Sequence, residues 1–297
     1  MTEPQKYVNA AAFRTALEAR LKNQANTQGV DVPRLRKQVA FDRLLCRLFH
    51  NSTVPWILKG GYAMELRMAV ARTTRDIDLS LPGLCSFETG TSSSQRILDL
   101  LQIAAAINLQ DYFTFLIGQP MMDLEGAPYG GARYPVDARM DGRTFARFHL
   151  DVGLGDKAIQ PLHSLQSKDW LGFANIGPGT FTIISKEQQF AEKYHAYTRP
   201  RTDYPNSRVR DLVDMVLLIQ SNDMDVALIE KAITLTFGSR KTHKVPDGVP
   251  QPPDNWSIPF KAMAEECQID TDINSAVVML TTFINSIRKP LPIRGEK

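Results

Sequence analysis

The first 72 residues change several times between helical and extended hydrophobic patterns. Apolar residues recur at helical intervals over residues 8–25 and again over residues 31–48, which predicts two helices. A short strand is predicted at residues 56–58, and a third helix at residues 62–71. The expected order at the start of the chain is therefore helix, helix, strand, helix.

The segment Asp76–Leu81 alternates strictly between polar and apolar residues. Asp76, Asp78 and Ser80 fall on one side of an extended chain, and Ile77, Leu79 and Leu81 fall on the other. A period of two over six residues is typical of a strand. The pattern therefore predicts a strand on which two carboxylates project in the same direction.

The rest of the chain first continues the sheet and then becomes helical. After a loop at residues 83–93, the pattern predicts a helix at 94–109 and strands at 112–117, 134–140 and 145–152. Asp141-Gly142 is a hairpin signal between the last two strands. The later helices are predicted at 185–198, which Ser185 and Gln188 open as a capping box, and at 207–220, 225–237, 257–267 and 271–288, with a proline-rich loop at 240–255.

A hairpin combined with helices on a face of the sheet predicts an α/β (α+β) fold with a mixed sheet. The length of 297 residues suits two domains. We expect residues 1–184 to form an α/β domain with N-terminal helices, and residues 185–297 to form a helical domain.

Composition and charge exclude several classes of protein. No apolar run approaches the ~18 residues of a membrane span, and the N-terminus lacks the apolar core of a secretory signal. Cys46, Cys85 and Cys267 are odd in number and scattered, which argues against a disulfide scaffold. We expect a soluble cytoplasmic protein whose net charge of +3 tolerates a polyanionic partner without demanding one.

The strongest chemical signal is the segment from Lys59-Gly60-Gly61 to the acid pair Asp76 and Asp78. Two glycines between a strand and a helix offer backbone N–H groups to phosphate oxygens. Carboxylates at i and i+2 of a strand lie about 6–7 Å apart on one face, which suits one Mg²⁺ ion or a pair. An exposed strand face after an ordinary turn is the alternative, but the preceding phosphate-suited turn and helix favour the metal site.

Asp151 is a third acid on a predicted strand, between the apolar residues Leu150 and Val152. Beside the acid pair, it would serve as a general base or as another metal ligand. An exposed edge carboxylate is an equally good interpretation, so the sequence leaves both open.

Two groups of charges in the helical part have ordinary explanations as well as functional ones. Lys193 borders an apolar helix stripe, so it either snorkels to solvent or points at a negative group. Arg208 is spaced to pair with Asp211, and Arg210 with Asp214, as surface ion pairs do.

These segments together resemble the AbiEii/AbiGii-type family of nucleotidyltransferase toxins, which includes the MenT-like toxins. The first matching block, residues 60–79, is shared with the wider polymerase-β-like superfamily. The order of all the blocks is more specific, and they span roughly residues 55–220. The remaining blocks are residues 133–136, 149–152, 191–196 and 208–214.

The resemblance implies a polymerase-β-like nucleotidyltransferase domain followed by a helical domain, with the active site in the cleft between them. By motif position, Asp76 and Asp78 would bind Mg²⁺ or Mn²⁺ and Lys59 would be a phosphate or active-site lysine. Lys193 would contact the nucleotide, and Asp211 would be an essential acid. The nucleoside triphosphate is the implied substrate.

The resemblance also implies the toxin of a toxin–antitoxin pair, whose antitoxin usually carries a helix-turn-helix domain. Some members modify tRNA 3′ ends and so block aminoacylation, which makes tRNA the expected acceptor and translation the expected target. This chain departs from the family at Tyr62, where many members have Thr or Ser, and a bulky ring there is expected to alter the triphosphate cradle.

A set of basic residues would line a track for an RNA backbone, although a solvated face and a flexible loop explain them equally well. They are Arg199, Arg201, Arg208, Arg210, Arg240, Lys241, His243 and Lys244. Two other functions fit the sequence: a nucleotidyltransferase that modifies a small molecule or a protein, and a nucleotide-binding regulatory module without turnover.

Overall fold

A computed structural model of the chain describes residues 6–50, 53–82, 92–124, 128–201 and 206–288. Cys85 and nearly all of the loop predicted at residues 83–93 lie outside these residues. The chain divides into two compact units. The first comprises Met1–Arg67, Thr73–Asp156 and His163–Ile183, and the second comprises Met68–Arg72, Lys157–Leu162 and Ile184–Lys297.

The first unit follows the predicted order and adds three short strands that the hydrophobic pattern did not indicate, namely β4, β7 and β8. Its elements are α1 (Ala10–Gln28), α2 (Val32–Leu48), β1 (Ile57–Lys59), α3 (Gly60–Arg67), β2 (Asp76–Leu81), α4 (Ser93–Ala105), β3 (Phe113–Ile117), β4 (Met122–Asp123), β5 (Gly131–Met140), β6 (Arg143–Leu154), β7 (His163–Gln166) and β8 (Thr180–Ile183).

The strands form one mixed sheet in the order β3-β5-β6-β2-β1-β8-β7, with β4 paired to β5. The pairs β2–β6 and β1–β8 are parallel, and the others are antiparallel. The predicted mixed α/β fold is therefore confirmed. The acid-bearing strand β2 lies in the middle of the sheet, between β1 and β6.

The two faces of the sheet differ in polarity because each long strand alternates. Leu58, Leu79, Leu150 and Tyr134 lie on the face that joins the hydrophobic core with α1, α2 and α4. The residues between them on the central strands lie on the opposite face and are mostly polar. Burying the apolar face fixes which way every charged side chain on these strands points.

An ion network is buried within the first unit. The Asp111 carboxylate accepts hydrogen bonds from Arg43 Nε at 2.8 Å and from Arg47 Nη2 at 2.6 Å. Burial opposes the ionised form of Asp111, but the hydrogen bonds and charges of Arg47 and Arg43 outweigh it and lower the pKa of the carboxyl. The network ties α2 to the segment that enters β3.

The second unit is helical. Ser185 Oγ accepts a hydrogen bond from the Gln188 backbone N–H at 3.1 Å, which confirms the predicted cap, while the Gln188 side chain donates to Thr236 instead of returning to Ser185. Among the described residues, no helix is long and apolar enough to cross a bilayer. The elements are α5 (Lys186–Thr198), α6 (Val209–Gln220), α7 (Val226–Arg240), α8 (Ser257–Glu266) and α9 (Ile273–Arg288).

Candidate active site

The turn between β1 and α3 requires glycine. Gly60 has φ +68°, a conformation that side chains with a Cβ rarely adopt. A Cβ at Gly60 would also lie 2.0 Å from Oδ2 of Asp78, so the Asp78 carboxylate packs directly against this turn. Tyr62 lies two residues further on, but its ring is buried in the core, 5.1 Å from the ring of Phe41. The expectation that this ring alters the triphosphate cradle therefore has no support in its position.

Four charged residues form a row across four adjacent strands. Lys59 on β1 pairs with Asp78 on β2, Asp78 pairs with Asp151 on β6, and Asp151 pairs with Arg133 on β5. Directly paired residues in a sheet project to the same face. Two carboxylates thus lie between two cations on the polar face. Asp151 is in this row and not at a sheet edge, which decides against the edge-carboxylate interpretation.

Arg133 is bound to two of the three acids. Its Nε and Nη2 donate to Asp151 Oδ1 and Oδ2, both at 2.7 Å, and the same Nη2 lies 3.6 Å from Asp76 Oδ2. The hydrogen bonds to Asp151, together with the charges of Asp151, Asp76 and Asp78, raise the pKa of Arg133 above its usual value although burial opposes this. His149 Nδ1 lies 3.2 Å from the other oxygen of Asp76.

Lys59 also has an acidic partner. Its Nζ forms an ion pair with Asp156, a buried residue just beyond the end of β6. Gly155, with φ +77°, allows the chain to turn before Asp156. The sequence carried no signal for this contact because the two residues are 97 positions apart.

A buried glutamate supports the start of β2. Glu65 on α3 accepts hydrogen bonds from Gln38 Nε2 and from the backbone N–H of Thr74, the latter at 2.6 Å. Burial raises the pKa of Glu65. Thr74 precedes Asp76 by two residues, so Glu65 fixes the backbone that leads into the acid-bearing strand.

The second unit holds a separate cluster of charges. Lys193 Nζ lies 2.5 Å from Asp214 Oδ2 and 3.5 Å from Asp211 Oδ1, and Arg72 donates two hydrogen bonds to Asp214 at 3.0 and 2.7 Å. Lys193 is buried and points at acids, so the snorkelling interpretation is wrong. Asp214 is also fully buried, and the interpretation of Arg210–Asp214 as a surface pair is wrong. The Arg208–Asp211 pair is present at 3.7 Å.

Burial opposes ionisation of Asp214, but the charges of Lys193 and Arg72 and their hydrogen bonds lower the pKa of its carboxyl. The two cations therefore favour the ionised form of the Asp214 carboxyl. The cluster fixes Lys193 on α5 beside the first turn of α6, where Asp211 lies.

The basic residues of the second unit have different surroundings. Arg208, Arg210, Lys241 and Lys244 are exposed. Three others are engaged, since Arg240 pairs with Glu192 at 3.3 Å, Arg201 donates to the Ala196 carbonyl and His243 contacts Thr198 and Thr242. Only part of the expected track is thus open to a ligand.

The polar face suits a divalent cation in the chemistry of its donors. Asp76, Asp78 and Asp151 supply carboxylate oxygens on one face, and oxygen ligands are what Mg²⁺ and Mn²⁺ prefer. Over the described part of the chain, however, no three acidic, histidine or cysteine residues are gathered closely enough to bind a metal ion together. The nearest cation to Asp76 and Asp151 is the guanidinium of Arg133.

The mixed sheet presents an acid pair on its central strand beside a glycine turn, and comparison with known proteins gives the class of the protein. The family model for the nucleotidyl transferase AbiEii toxins of type IV toxin–antitoxin systems matches residues 43–277. The chain belongs to this family. It is a nucleotidyltransferase toxin, a class for which an antitoxin partner and a nucleoside triphosphate substrate follow.

One solved structure shares the fold. MenT4, a nucleotidyltransferase toxin from Mycobacterium tuberculosis, is 16% identical, with a TM-score of 0.55 over 91% of this chain and 96% of its own. JHP933 from Helicobacter pylori is 14% identical, with a TM-score of 0.45 over 86% of this chain and 91% of its own. No curated protein matches the chain by sequence.

Proposed function

We propose that the protein transfers a nucleoside monophosphate from a nucleoside triphosphate to the 3′ end of tRNA, in a divalent-metal-dependent reaction that blocks translation. The observation that carries the proposal is the in-register row of Lys59, Asp78, Asp151 and Arg133, with Asp76 on the same face. The row lies beside Gly60, whose turn has no room for a side chain. An ordinary solvated strand face needs neither feature.

In the proposed reaction, the acceptor hydroxyl loses its proton to solvent and its oxygen forms a bond to the α-phosphorus, as the bond from that phosphorus to the bridging oxygen breaks and pyrophosphate leaves. Asp76 and Asp78 would hold the cation, and Lys59 and the N–H groups of Gly60-Gly61 would hold phosphate oxygens. A bound Mg²⁺ or Mn²⁺ would supply positive charge that offsets the charge developing on the phosphates. Such transfers depend mainly on positioning and electrostatics.

Asp151 takes the part of a further ligand in this proposal and not that of the base. Both of its oxygens accept hydrogen bonds from Arg133, so the guanidinium occupies the place of an acceptor hydroxyl at this carboxylate. Lys193 and Asp211 keep the roles that the family implies, a nucleotide contact and an essential acid. The contacts of Lys193 with Asp214 and Asp211 support a fixed position for the lysine.

The tRNA acceptor rests on the family and on the exposed cations of the second unit. Arg208, Arg210, Lys241 and Lys244 offer charge to an RNA backbone. We also propose that the antitoxin carries a helix-turn-helix domain, as is usual in the family. Transfer to a small molecule or a protein, and nucleotide binding without turnover, are the competing functions.

The first test replaces the acids. Asp76→Asn and Asp78→Asn should each lower nucleotide transfer at least ~100-fold, because each removes a charged oxygen ligand for the cation. Pyrophosphate release and incorporation of labelled nucleotide into total RNA are the measurements. Asp137→Asn is the matched control, since Asp137 is an ion-paired acid on β5 of the same sheet. Normal transfer by both Asp76→Asn and Asp78→Asn would contradict the proposed site.

The second test identifies the acceptor. After brief induction in cells, sequencing of RNA 3′ ends should reveal added nucleotides on tRNA with the wild-type protein and none with Asp78→Asn. Label in a protein or small-molecule fraction would replace tRNA as the acceptor. Toxicity retained by Asp78→Asn, without pyrophosphate release, would favour the regulatory module.

A further inference from the structure

A guanidinium nitrogen lies between two of the three acids on the polar face. Nη2 of Arg133 is 2.7 Å from Asp151 and 3.6 Å from Asp76. These acids are on adjacent parallel strands, and Asp151 is paired in register with Asp78. Within the described residues the three carboxylates do not form a ready ligand set. Both oxygens of Asp151 are turned to Arg133.

We propose that Arg133 is an exchangeable counter-ion, which holds Asp76 and Asp151 in the nucleotide-free enzyme and must leave before a divalent cation can use both. The inference rests on the proposed function, since it takes these acids as cation ligands. A metal ion and the guanidinium compete for the same carboxylate oxygens. Cation binding therefore costs the free energy needed to separate Arg133 from its two acids.

The surroundings of Arg133 permit this exchange. Its side chain is 30% exposed, whereas Arg47, which serves a purely structural network, is 2% exposed. The backbone of Arg133 is fixed in β5, but the contacts that hold its guanidinium are those to the carboxylates and lie on the polar face. A long, flexible side chain at such a position can turn aside without moving the strand.

The exchange also links metal and nucleotide binding. A guanidinium released from Asp151 is a strong donor for a triphosphate oxygen, because arginine forms charge-assisted pairs with phosphate as readily as with carboxylate. A triphosphate oxygen therefore binds the Arg133 guanidinium that the metal ion displaces from the carboxylates. The enzyme should bind the metal weakly alone and more tightly with nucleotide.

The experiment measures Mn²⁺ binding by electron paramagnetic resonance on the full-length protein, without nucleotide and with an α,β-methylene triphosphate analogue. Without nucleotide, Arg133→Met should bind Mn²⁺ about tenfold more tightly than the wild type, since a partly exposed bidentate ion pair no longer competes. With the analogue, the difference should shrink. Arg139→Met is the control, because Arg139 lies on the same strand and pairs with Asp137 at 2.8 Å. The two substitutions change the net charge equally.

Equal or weaker Mn²⁺ binding by Arg133→Met would overturn the inference, as would the same gain in Arg139→Met. Thermal unfolding midpoints check that each variant folds. If Arg133→Met does not fold, Arg133→Gln, which keeps a polar side chain, is measured in its place. Adding Asp76→Asn to Arg133→Met should abolish the gain; a persistent gain would put the ion elsewhere and overturn the inference.

The two proposals fail differently. Metal-dependent transfer with no gain on removing Arg133 overturns the counter-ion and leaves the proposed function intact. A gain in Mn²⁺ affinity without any transfer overturns the proposed function and leaves the counter-ion. No Mn²⁺ binding by any variant, with or without the analogue, overturns both.

Discussion

Gly60→Ala tests whether the glycine turn positions the acid pair. The substitution adds one methyl group at a residue with φ +68°, where its Cβ would lie 2.0 Å from Asp78 Oδ2. An ordinary contact at this place begins at 3.4 Å, so the carboxylate has to move by about 1.4 Å. Asp78 is one of the two proposed cation ligands, and this displacement acts on it directly.

Two effects of the change have separate magnitudes. A non-glycine residue in the left-handed region costs about 1–2 kcal/mol of unfolding free energy. A displacement of about 1 Å at a reacting centre costs about 100-fold in rate. We therefore expect Gly60→Ala to lose about 1–2 kcal/mol of stability and at least ~100-fold in nucleotide transfer.

Gly29→Ala separates these effects. Gly29 has φ +65°, close to that of Gly60, but an added Cβ there meets nothing within 4 Å. Both variants should show a similar loss in urea unfolding, while only Gly60→Ala should lose transfer in the pyrophosphate assay. If Gly60→Ala transfers as well as Gly29→Ala, the contact between the turn and Asp78 has no catalytic importance.

Two further predictions concern buried acids. Burial raises the pKa of Asp42 to about 6, so the folded state holds its proton more tightly and loses stability as the pH rises through about 4–6. The free energy of unfolding of Asp42→Asn minus that of the wild type, measured with urea, should therefore be about 2–3 kcal/mol larger at pH 8 than at pH 4. A difference that does not change with pH would contradict this. Asp214→Ala should cost about 3–5 kcal/mol because it removes the buried acid that Lys193 and Arg72 share, whereas Asp223→Ala, which breaks an exposed pair, should cost less than about 1 kcal/mol. Equal costs for the two would show that the buried cluster is not held by charge.

The sequence predicted the features that depend on neighbouring residues. Strict alternation over Asp76–Leu81 gave both the strand and the shared direction of its two acids, because a period of two is a local property. The glycine turn was equally local. The short strands β4, β7 and β8 were not predicted, because two to four residues do not establish a period. Pairing with neighbouring strands stabilises their extended conformation.

Helical spacing predicted the wrong ion-pair partner where the side chain is buried. Arg210 and Asp214 have the i,i+4 separation of a surface pair, yet Asp214 faces inward and its partners Lys193 and Arg72 come from elsewhere in the chain. Spacing on a helix says which residues are neighbours on its surface, but not which side of the helix is covered. For the same reason helical spacing left two interpretations of Lys193 open, since its acids lie on the next helix.

The partner of Asp151 depends on the register of a hairpin. The turn at Asp141 and Gly142, both with positive φ, joins β5 to β6 and leads to the pairing of Arg133 with Asp151. A slip of one residue would turn Arg133 to the core face, and the apolar face of β5 opposes such a slip because it would be exposed. The sequence contained the turn and the alternation, but the pairing also depends on an irregularity after Ala138 that neither of them indicates. The charges of a sheet face are therefore visible in one sequence, whereas the contacts among them follow from registers that only the assembled sheet defines.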